Sequence, residues 1–305
     1  MDKTYKVFAI NPGSTSTKIA MFENEEAVFS KSVSHDAAKL KEFAEISDQL
    51  PYRRQMILDI LAEAGISLQG VDAFVGRGGG LVALEGGTYP VNDILYQHAK
   101  EGHTIKHPAM LGPQLAREFA QTYGGQAFVV NPPDVDEFID EARVTGFKDI
   151  YRESRIHALN QKEVAIRHAK SVEKKYEDMN FVVAHIGGGT SVTAHQKGRM
   201  IDSNDIANGD GPMAPTRSGA LPAAPLVKMC FSGQYTEKEL LNRILKEGGF
   251  ADLLGTTDMY DVEKRAAKGD EAEHAIARFS IADKNVAQRL QVAGAGSEAS
   301  QLHQL

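Results

Sequence analysis

The first half of the chain alternates between short apolar and polar runs typical of strands and longer runs with helical spacing. Side chains of a strand point alternately to the two faces of a sheet, whereas those of a helix share one face every three or four residues. The predicted strands are residues 5–11, 16–23, 27–34, 71–75 and 127–130. The predicted helices are residues 36–46, 52–64, 110–123 and 160–175. The first half is therefore predicted to be a three-stranded meander followed by alternating helices and strands.

The second half begins with the same pattern. The predicted strands are residues 181–186, 191–195 and 199–202, joined by the turns GGGT and QKG. The predicted helices are residues 223–231 and 236–246, and Thr236 and Glu239 have the spacing of a capping box at the start of the second. A Gly-rich turn after the first strand of each half indicates an internal duplication with little residue identity. Two similar α/β lobes with a cleft between them are expected.

Length and charge narrow the classes of protein. With 305 residues and 42% hydrophobic content, the chain is long enough for two medium domains with separate cores. A formal net charge of -7 argues against a nucleic-acid partner, which requires clustered Lys and Arg. The start of the chain shows no signal peptide, and no apolar run approaches about 20 residues, so the expectation is a cytoplasmic protein without a membrane segment. The one cysteine, Cys230, lies in an apolar run and is predicted to be buried.

The first turn of the chain reads INPGSTSTK. It contains Gly13, Ser14, Thr15, Ser16 and Thr17. These residue types are typical of an ordinary hairpin loop, and that interpretation stays open. The alternative is an anion site in which backbone N–H groups and hydroxyls converge on phosphate, Lys18 adds charge and Asn11 positions a ligand or a metal-bound water. The spacing of a Walker A loop is absent.

The matching turn in the second half reads AHIGGGTS. It contains Gly187, Gly188, Gly189 and Thr190. Three consecutive glycines allow a close approach to the backbone that any side chain would block. Two such turns, each after the first strand of a meander, favour a pair of phosphate loops. His185 comes just before the glycines and is interpreted as a ligand-facing donor, although a lone histidine is also typical of a core.

Two arginines are bracketed by glycine or serine, Arg77 in GRGGG and Arg217 in PTRSGAL. The guanidinium fork pairs with planar anions, so two arginines suit a carboxylate and a transferring phosphoryl group. Arg77 also follows a predicted buried strand, where ligand sites of α/β proteins cluster. His157 and Asp136 are weaker candidates, for which a purely structural role is equally open.

At this point the sequence resembles a known family. The stretches VFAINPGSTSTK and VVAHIGGGTS are similar to the two signature motifs of the acetate kinase family. EGGTYPVND, HPAMLGPQLA, DEFIDEARVTG and IHALNQKEVA are similar to its butyrate kinase branch, and the resemblance runs from about residue 5 to about residue 270. It implies a duplicated actin-like (ribonuclease H-like) α/β fold and reversible phosphoryl transfer between ATP and a short-chain carboxylate, with Mg2+.

The resemblance also implies roles for the candidate residues. Asn11 would help to hold the metal and phosphate, and Arg77 and Arg217 would bind carboxylate and phosphoryl oxygens. His185 would stabilise the transition state, and the three glycines of the second turn would line the phosphates. Phosphoryl transfer requires positioning and charge stabilisation more than covalent chemistry, so these roles agree with the residue types.

The sequence departs from the family in two places. Asn131 stands where the family often has aspartate, so Asp136 is taken as the substitute acid. The expected last part of the family is replaced from about residue 279 by a polar, Gly-, Ser- and Gln-rich tail, without the adenosine loop. The predicted domains are therefore residues 1–178, an incomplete second lobe at 179–278 and a divergent tail at 279–305. An open sheet edge and a disordered tail are expected from this arrangement.

Three functions remain after this reading. The leading one is an ATP-dependent kinase for butyrate or a branched analogue, with a small-molecule carboxylate as its partner. The second is a catalytically impaired relative that acts as a binding module, because the adenosine-binding end is missing. The third is another actin-like phosphotransferase, such as a sugar kinase, for which an aspartate base beside a polar pocket is expected. The sequence leaves the oligomeric state open, a homo-oligomer included.

Overall fold

The protein is described by a computed structural model that covers residues 3–104, 106–269 and 300–304. Contacts divide the chain into two compact units, an N-terminal unit, Met1–Val135, and a C-terminal unit, Asp136–Leu305. The predicted tail at 279–305 lies outside the described residues, apart from residues 300–304. Among the described residues, no helix is long and apolar enough to cross a membrane.

The N-terminal unit contains the predicted meander and the alternating helices and strands. Its strands are β1 (Lys6–Pro12), β2 (Ser16–Glu23), β3 (Glu26–Ser34), β4 (Ala73–Gly76), β5 (Thr88–Pro90) and β6 (Gln126–Val130). Its α-helices are α1 (Ala37–Lys41), α2 (Leu50–Glu63), α3 (Asp93–Glu101) and α4 (Leu111–Tyr123). The five predicted strands are confirmed within two residues at each end. The predicted helix at 36–46 is shorter than expected, and β5 and α3 were not predicted.

The six strands form one mixed sheet in the order β3-β2-β1-β4-β6-β5. β1, β2 and β3 pair antiparallel, whereas β1, β4 and β6 pair parallel. The core of the unit contains three aromatic rings, Phe8 of β1, Phe74 of β4 and Phe119 of α4, with neighbouring centroids 6.1–6.2 Å apart. Such edge and stacked contacts add about 0.5–1.5 kcal/mol per pair to the burial of the rings. Helix α4 is thereby fixed on the sheet beside the end of β4.

The C-terminal unit contains the second meander. Its strands are β7 (Asn180–Ile186), β8 (Thr190–Gln196), β9 (Arg199–Ser203) and β10 (Ser300–Gln304). Its α-helices are α5 (Asp140–Arg143), α6 (Ala158–Ser171), α7 (Ala223–Cys230), α8 (Glu237–Leu245), α9 (Phe250–Leu254) and α10 (Met259–Ala266). The three predicted strands of the meander and the Thr236/Glu239 capping box are confirmed. Helices α5, α9 and α10 were not predicted.

The second sheet has apolar packing on both faces of β7. Phe181 and Val183 pack against Ala165 and Ala169 of α6, whereas Val182 and Ala184 belong to a cluster with residues of β8 and β9. A buried ion pair joins Lys162 Nζ of α6 to Glu137 Oε1 at 2.8 Å. The other carboxylate oxygen of Glu137 accepts a hydrogen bond from the Met200 N–H of β9 at 2.7 Å.

These contacts explain why residues 136–178 cluster with the second sheet. The sequence placed the boundary at 178, directly before the second meander, whereas the contacts divide the chain after Val135. Helix α6 and the Glu137 segment are anchored on β7 and β9 by side chains whose partners lie far along the chain. A boundary read from repeated strand patterns does not include such long-range contacts.

Two further expectations differ from the structure. β10 pairs parallel with β7, so the edge of the second sheet that was expected to be open is occupied over Ser300–Gln304. Cys230 is exposed, so its predicted burial is wrong. The reason lies in α7, whose eight residues include no buried side chain although six of them are apolar. An apolar run alone does not show that a neighbouring element covers it.

Candidate functional site

The hairpin between β1 and β2 carries the first group of predicted site residues. Gly13 N–H donates to the Ser16 carbonyl at 2.7 Å, which closes the turn. Ser14 and Thr15 are exposed and Ser16 is half-buried, so these three residues face solvent at the tip. Thr17 differs, because it is fully buried and its hydroxyl contacts the interior. The expectation that all four hydroxyls converge on a ligand is therefore wrong for Thr17.

Asn11, Lys18 and Arg77 lie beside the base of this hairpin. Asn11 of β1 and Lys18 of β2 are opposite each other in the antiparallel register, and both are exposed. Arg77 follows β4, and its N–H donates to the Ile10 carbonyl at 2.8 Å, which continues the parallel pairing by one residue. Its Nη1 donates to Asn11 Oδ1 at 3.4 Å. We call Asn11, Gly13, Ser14, Thr15, Ser16, Lys18 and Arg77 the N-terminal cluster.

The position of Arg77 depends on close backbone packing against α4. A Cβ on Gly76 would overlap the backbone of Gly112, and a Cβ on Gly112 would overlap the Arg77 carbonyl. Both residues must be glycine for β4 and α4 to approach each other in this way. Burial lowers the pKa of the Arg77 guanidinium. Because burial disfavours the charged form, an anion bound at this guanidinium would recover part of that cost.

The three-glycine turn between β7 and β8 carries the second group. A Cβ on Gly189 would overlap Nη1 of Arg217 and would lie 3.5 Å from Cε1 of His157. A Cβ on Gly187 would lie 3.2 Å from Nε2 of His185. Arg217 and the two histidines thus pack directly against the glycine backbone. We call His157, His185, Gly187, Gly188, Gly189, Thr190 and Arg217 the C-terminal cluster.

The two histidines of the C-terminal cluster are stacked. Their ring centroids are 3.8 Å apart with an interplanar angle of 22°. His185 Nδ1 is 2.8 Å from Asn160 Oδ1, and because an amide oxygen only accepts, Nδ1 donates. Nε2 is then on the side of Gly187.

Helix α6 supplies partners that the sequence reading did not identify. His157 precedes the helix, and Asn160 and Gln161 follow at the i+3 and i+4 spacing that places side chains on one face. Gln161 Nε2 donates to Ser191 Oγ at 2.8 Å, and His157 Nδ1 is 2.8 Å from the same oxygen. The spacing in IHALNQ is the sequence signal that would have placed these residues with His157.

Two polar groups of the C-terminal cluster are buried without a hydrogen-bond partner among the described residues. They are Nη1 of Arg217 and Oγ1 of Thr190. Burial lowers the pKa of the Arg217 guanidinium, and the charge of Asp205 offsets this in part. A buried donor without a partner carries a desolvation cost that a bound acceptor removes. This part of the cluster is therefore suited to an oxyanion.

The structure gives Asp136 and Asn131 structural contacts. Asp136 forms a two-pronged ion pair with Arg143, with oxygens 2.8 Å from Nη1 and 2.9 Å from Nη2. Asn131 Oδ1 accepts from the Gly87 N–H at 2.8 Å, and its φ of 40° lies in the left-handed region that asparagine tolerates. The catalytic role of Asp136 stays a prediction, and these contacts add no support to it.

The donor groups agree with bound phosphates and supply few metal ligands. The described residues contain no group of three or more His, Cys, Asp or Glu side chains placed to hold a metal ion. Mg2+ in nucleotide enzymes is held largely by phosphate oxygens and water, with one or two protein ligands. Among the predicted site residues, Asn11 could supply one such ligand through its amide oxygen. The arginines and the glycine-containing turns are instead suited to binding phosphate oxygens.

Comparison with known proteins gives sequence relatives over most of the chain. A profile of the acetokinase family matches residues 148–292. Butyrate kinase 2 of Clostridium acetobutylicum is 45% identical over 266 residues, which are 87% of this chain and 75% of that protein. A probable butyrate kinase of Clostridium botulinum is 43% identical and is matched over 88% of this chain and 75% of its own length.

Solved structures give the fold. An acetate kinase of Porphyromonas gingivalis superposes with a TM-score of 0.75 at 17% identity, over 96% of this chain and 81% of that one. A propionate kinase of Francisella tularensis superposes with a TM-score of 0.73 at 19% identity, over 95% and 81% of the two chains. At these identities the similarity concerns the fold alone, and it confirms the duplicated actin-like α/β architecture. Neither the relatives nor these structures favour the non-catalytic binding module.

Proposed function

Because the chain belongs to the acetokinase family, we propose that it transfers the γ-phosphoryl group of ATP to a short-chain carboxylate and forms an acyl phosphate and ADP. The observation that carries this proposal is Nη1 of Arg217, a buried donor atom that lacks a partner among the described residues and lies directly on the three-glycine turn. A guanidinium beside glycine backbone without side chains provides the charge and the space that a phosphoryl group needs during transfer.

The reaction needs no proton removal from the acceptor. A carboxylic acid with a pKa near that of a free carboxyl group, about 4, is ionised at neutral pH. One carboxylate oxygen attacks the γ-phosphorus, and the bond from that phosphorus to the β,γ-bridging oxygen breaks, with the electron pair leaving on ADP. No general base is required, which agrees with an Asp136 that is held by Arg143.

The residues of the two clusters then have positioning and charge-stabilising roles. Arg217 donates to the oxygens of the transferring group, and Gly187, Gly188 and Gly189 leave room for the phosphates. His185 donates through Nε2 when the ring carries hydrogens on both nitrogens, because Nδ1 already donates to Asn160. Asn160 fixes the ring of His185 through Nδ1, so that Nε2 is the ring nitrogen on the side of the glycine turn.

The N-terminal cluster has the corresponding role for the anionic reactants. Arg77 supplies a guanidinium for a carboxylate or phosphoryl oxygen, and Lys18 and the tip of the hairpin supply further donors. Mg2+, when bound, would neutralise phosphate charge, and Asn11 is the residue that would contribute to holding it.

The proposal is tested by trapping the product. The purified protein is incubated with ATP, magnesium and butyrate, and hydroxylamine converts any acyl phosphate to a coloured hydroxamate. We expect hydroxamate that depends on both ATP and butyrate. Nucleotide hydrolysis without hydroxamate, or hydroxamate at the same yield without butyrate, would contradict the proposal.

The acyl chain is tested separately. Relatives named butyrate kinases favour an acceptor with a short apolar tail. A pocket that accommodates this tail gains about 0.8 kcal/mol per buried methylene, or about fourfold in kcat/KM. We therefore expect kcat/KM to rise from acetate through propionate to butyrate and isobutyrate. Equal values across the series would leave the carboxylate kinase in place and remove the preference for butyrate.

A further inference from the structure

Beneath the β1–β2 hairpin lies an arginine that no sequence motif singled out. Arg53 of α2 is 0% exposed. Its Nη1 donates to the Gly13 carbonyl at 2.9 Å and to Thr17 Oγ1 at 3.1 Å. Its Nε and Nη2 donate to Gln49 Oε1 at 3.0 Å and 2.9 Å. A single guanidinium thus joins the hairpin to the start of α2.

The charge of Arg53 has no counter-ion among the described residues. No aspartate or glutamate of the described chain forms an ion pair with it, and its polar partners are neutral oxygens. Burial lowers the pKa of the guanidinium to about 10, so it remains protonated at neutral pH. A buried charge without a paired charge is costly, and an apolar side chain would fill the same space without that cost.

The hydrogen bonds around Thr17 have a fixed direction. A guanidinium can only donate, so Thr17 Oγ1 accepts from Arg53 and its own hydrogen is available to His35 Nε2, which is 2.8 Å away. His35 Nε2 is then an acceptor, and the ring is neutral. The neutral ring adds no compensating negative charge, so the positive charge of Arg53 remains next to the hairpin.

The bond to the Gly13 carbonyl orients the tip of the hairpin. In a trans peptide the C=O and the following N–H point in opposite directions, and the described chain has no cis peptide bond. With the Gly13 carbonyl held towards Arg53, the Ser14 N–H points away from the interior. Ser14 is exposed, so this N–H faces the solvent side of the hairpin.

We propose that Arg53 is the positioning residue of the hairpin: it holds the Gly13 carbonyl so that the Ser14 N–H faces a bound nucleotide phosphate, and its uncompensated charge attracts that phosphate through the loop. This inference rests on the proposed function, since it takes the anion at the hairpin to be a phosphate of ATP. Arg53 touches no substrate and acts through the backbone and through its field.

The decisive variant is Gln49→Glu. It keeps the shape of the side chain and both acceptor contacts with Arg53, but it places a carboxylate against the guanidinium. The ion pair should maintain or raise the melting temperature, whereas cancelling the charge under the loop should weaken MgATP binding by on the order of tenfold. A purely structural role for Arg53 predicts unchanged or tighter binding, because the hairpin would be held at least as firmly.

Two further variants complete the experiment. Arg53→Met removes both the bond and the charge and should weaken MgATP binding more than Q49E does. Arg54→Met is the matched control, since Arg54 is the next residue of the same helix and faces Glu118 instead of the hairpin, with 3.5 Å between Nε and Oε2. Calorimetric Kd values for MgATP and melting temperatures are measured for all four proteins, and R54M should match the wild type in Kd.

A Q49E protein that binds MgATP within twofold of the wild type would overturn the inference. A Q49E protein that melts well below the wild type would also contradict it, because a carboxylate beside an unpaired guanidinium should stabilise the fold. The hydroxamate yield tests the proposed function independently. If Q49E binds MgATP more weakly but the wild type gives no hydroxamate, the role of Arg53 is retained and the kinase activity is rejected. If the wild type gives hydroxamate but Q49E and the wild type have equal Kd values, the kinase activity is retained and the role of Arg53 is rejected.

Discussion

The two glycine-containing turns follow the first strand of each meander, but different contacts hold them. The turn at Gly13 has one glycine, and its backbone is held from the interior by Arg53. The turn at Gly187, Gly188 and Gly189 has no side chains of its own before Thr190. His185 lies where a side chain at Gly187 would begin, and Arg217 and His157 lie where one at Gly189 would begin. In one turn a buried guanidinium orients the backbone from the interior. In the other, the glycines leave room for a guanidinium and two imidazole rings to lie directly on the backbone.

The largest expected effect concerns one buried histidine in each unit, His35 and His195. Burial lowers the pKa of His35 from 6.5 to about 4 and that of His195 from 6.5 to about 3. Between pH 6.5 and these values the unfolded chain binds a proton that the folded protein does not, so the free energy of unfolding falls as the pH is lowered. At about 1.4 kcal/mol per pH unit, the loss by pH 4 is on the order of 3 kcal/mol for each histidine, and for His195 it reaches about 5 kcal/mol near pH 3.

Single variants separate the two units. His35→Gln keeps a polar atom near the position of Nε2, which contacts Thr17, and His195→Asn keeps one near Nδ1, which is 2.7 Å from the Tyr176 hydroxyl. Urea unfolding followed by circular dichroism gives the free energy of unfolding at pH 7 and pH 4. The carboxylates are common to all three proteins, so their titration cancels in the difference between wild type and variant. The difference in the free energy of unfolding should therefore change with pH through the replaced histidine alone. A gap that is constant from pH 7 to pH 4 would contradict the assigned pKa values.

The next largest effect is expected when a side chain is added to the three-glycine turn. Gly189→Ala would place a methyl group on Nη1 of Arg217, and we expect kcat/KM to fall by about 10³-fold because a preorganised donor and its geometry are lost together. Gly146→Ala is the control in the same unit, since a Cβ there meets no atom within 4 Å. Activity of G189A within tenfold of G146A would show that Arg217 does not need its observed position.

Removing the charged groups singly should have a somewhat smaller effect. Arg217→Ala, His185→Ala and Arg77→Ala are each expected to lower kcat/KM by on the order of 10²-fold, the size typical of one lost donor. Arg167→Ala is the surface control, because the Arg167 side chain is 79% exposed and forms an i,i+4 salt bridge with Glu163 on the same helix. Near-normal rates for all three cluster variants would reject the assignment of charge stabilisation to these residues.

The smallest expected effect concerns the support of the first turn. Thr17→Val removes the hydroxyl that accepts from Arg53 and donates to His35. A buried donor and a buried acceptor each lose a partner, and the free energy of unfolding should fall by about 1–3 kcal/mol. Thr15→Val, at the exposed tip, should leave stability unchanged. Equal stability of T17V and T15V would contradict the network described beneath the hairpin.

The features that the sequence predicted are those that depend on residues close together in the chain. The meanders and α4 are set by local alternation and helical spacing, so they were predictable residue by residue. Thr236 and Glu239 form a capping box within one helical turn and were predictable for the same reason. Arg77 was singled out by the rule that ligand sites lie at the ends of parallel strands, and Asn11 and Lys18 by the residue types of the first turn; their roles in a site stay predictions.

The residues that were missed depend on contacts between distant parts of the chain. Arg53 looks like a surface arginine in the stretch LPYRRQMIL, and its burial follows only from the packing of α2 beneath the hairpin. The inward side chain of Thr17 has the same cause. Cys230 was misplaced because the apolar run of α7 indicated burial, whereas no described element covers that helix. Lys162 and Glu137 shift the boundary between the units through a pair of charges that no local pattern contains.

The proposed reaction forms a bond between a carboxylate oxygen and the γ-phosphorus of ATP, and phosphorus NMR observes this bond directly. The purified protein is mixed with MgATP and butyrate, and the spectrum is followed over time without a trapping reagent. We expect an acyl phosphate resonance and the resonances of ADP to appear in equal amounts, and neither to appear without butyrate. Equal amounts of inorganic phosphate and ADP, at a rate that does not depend on butyrate, would contradict it.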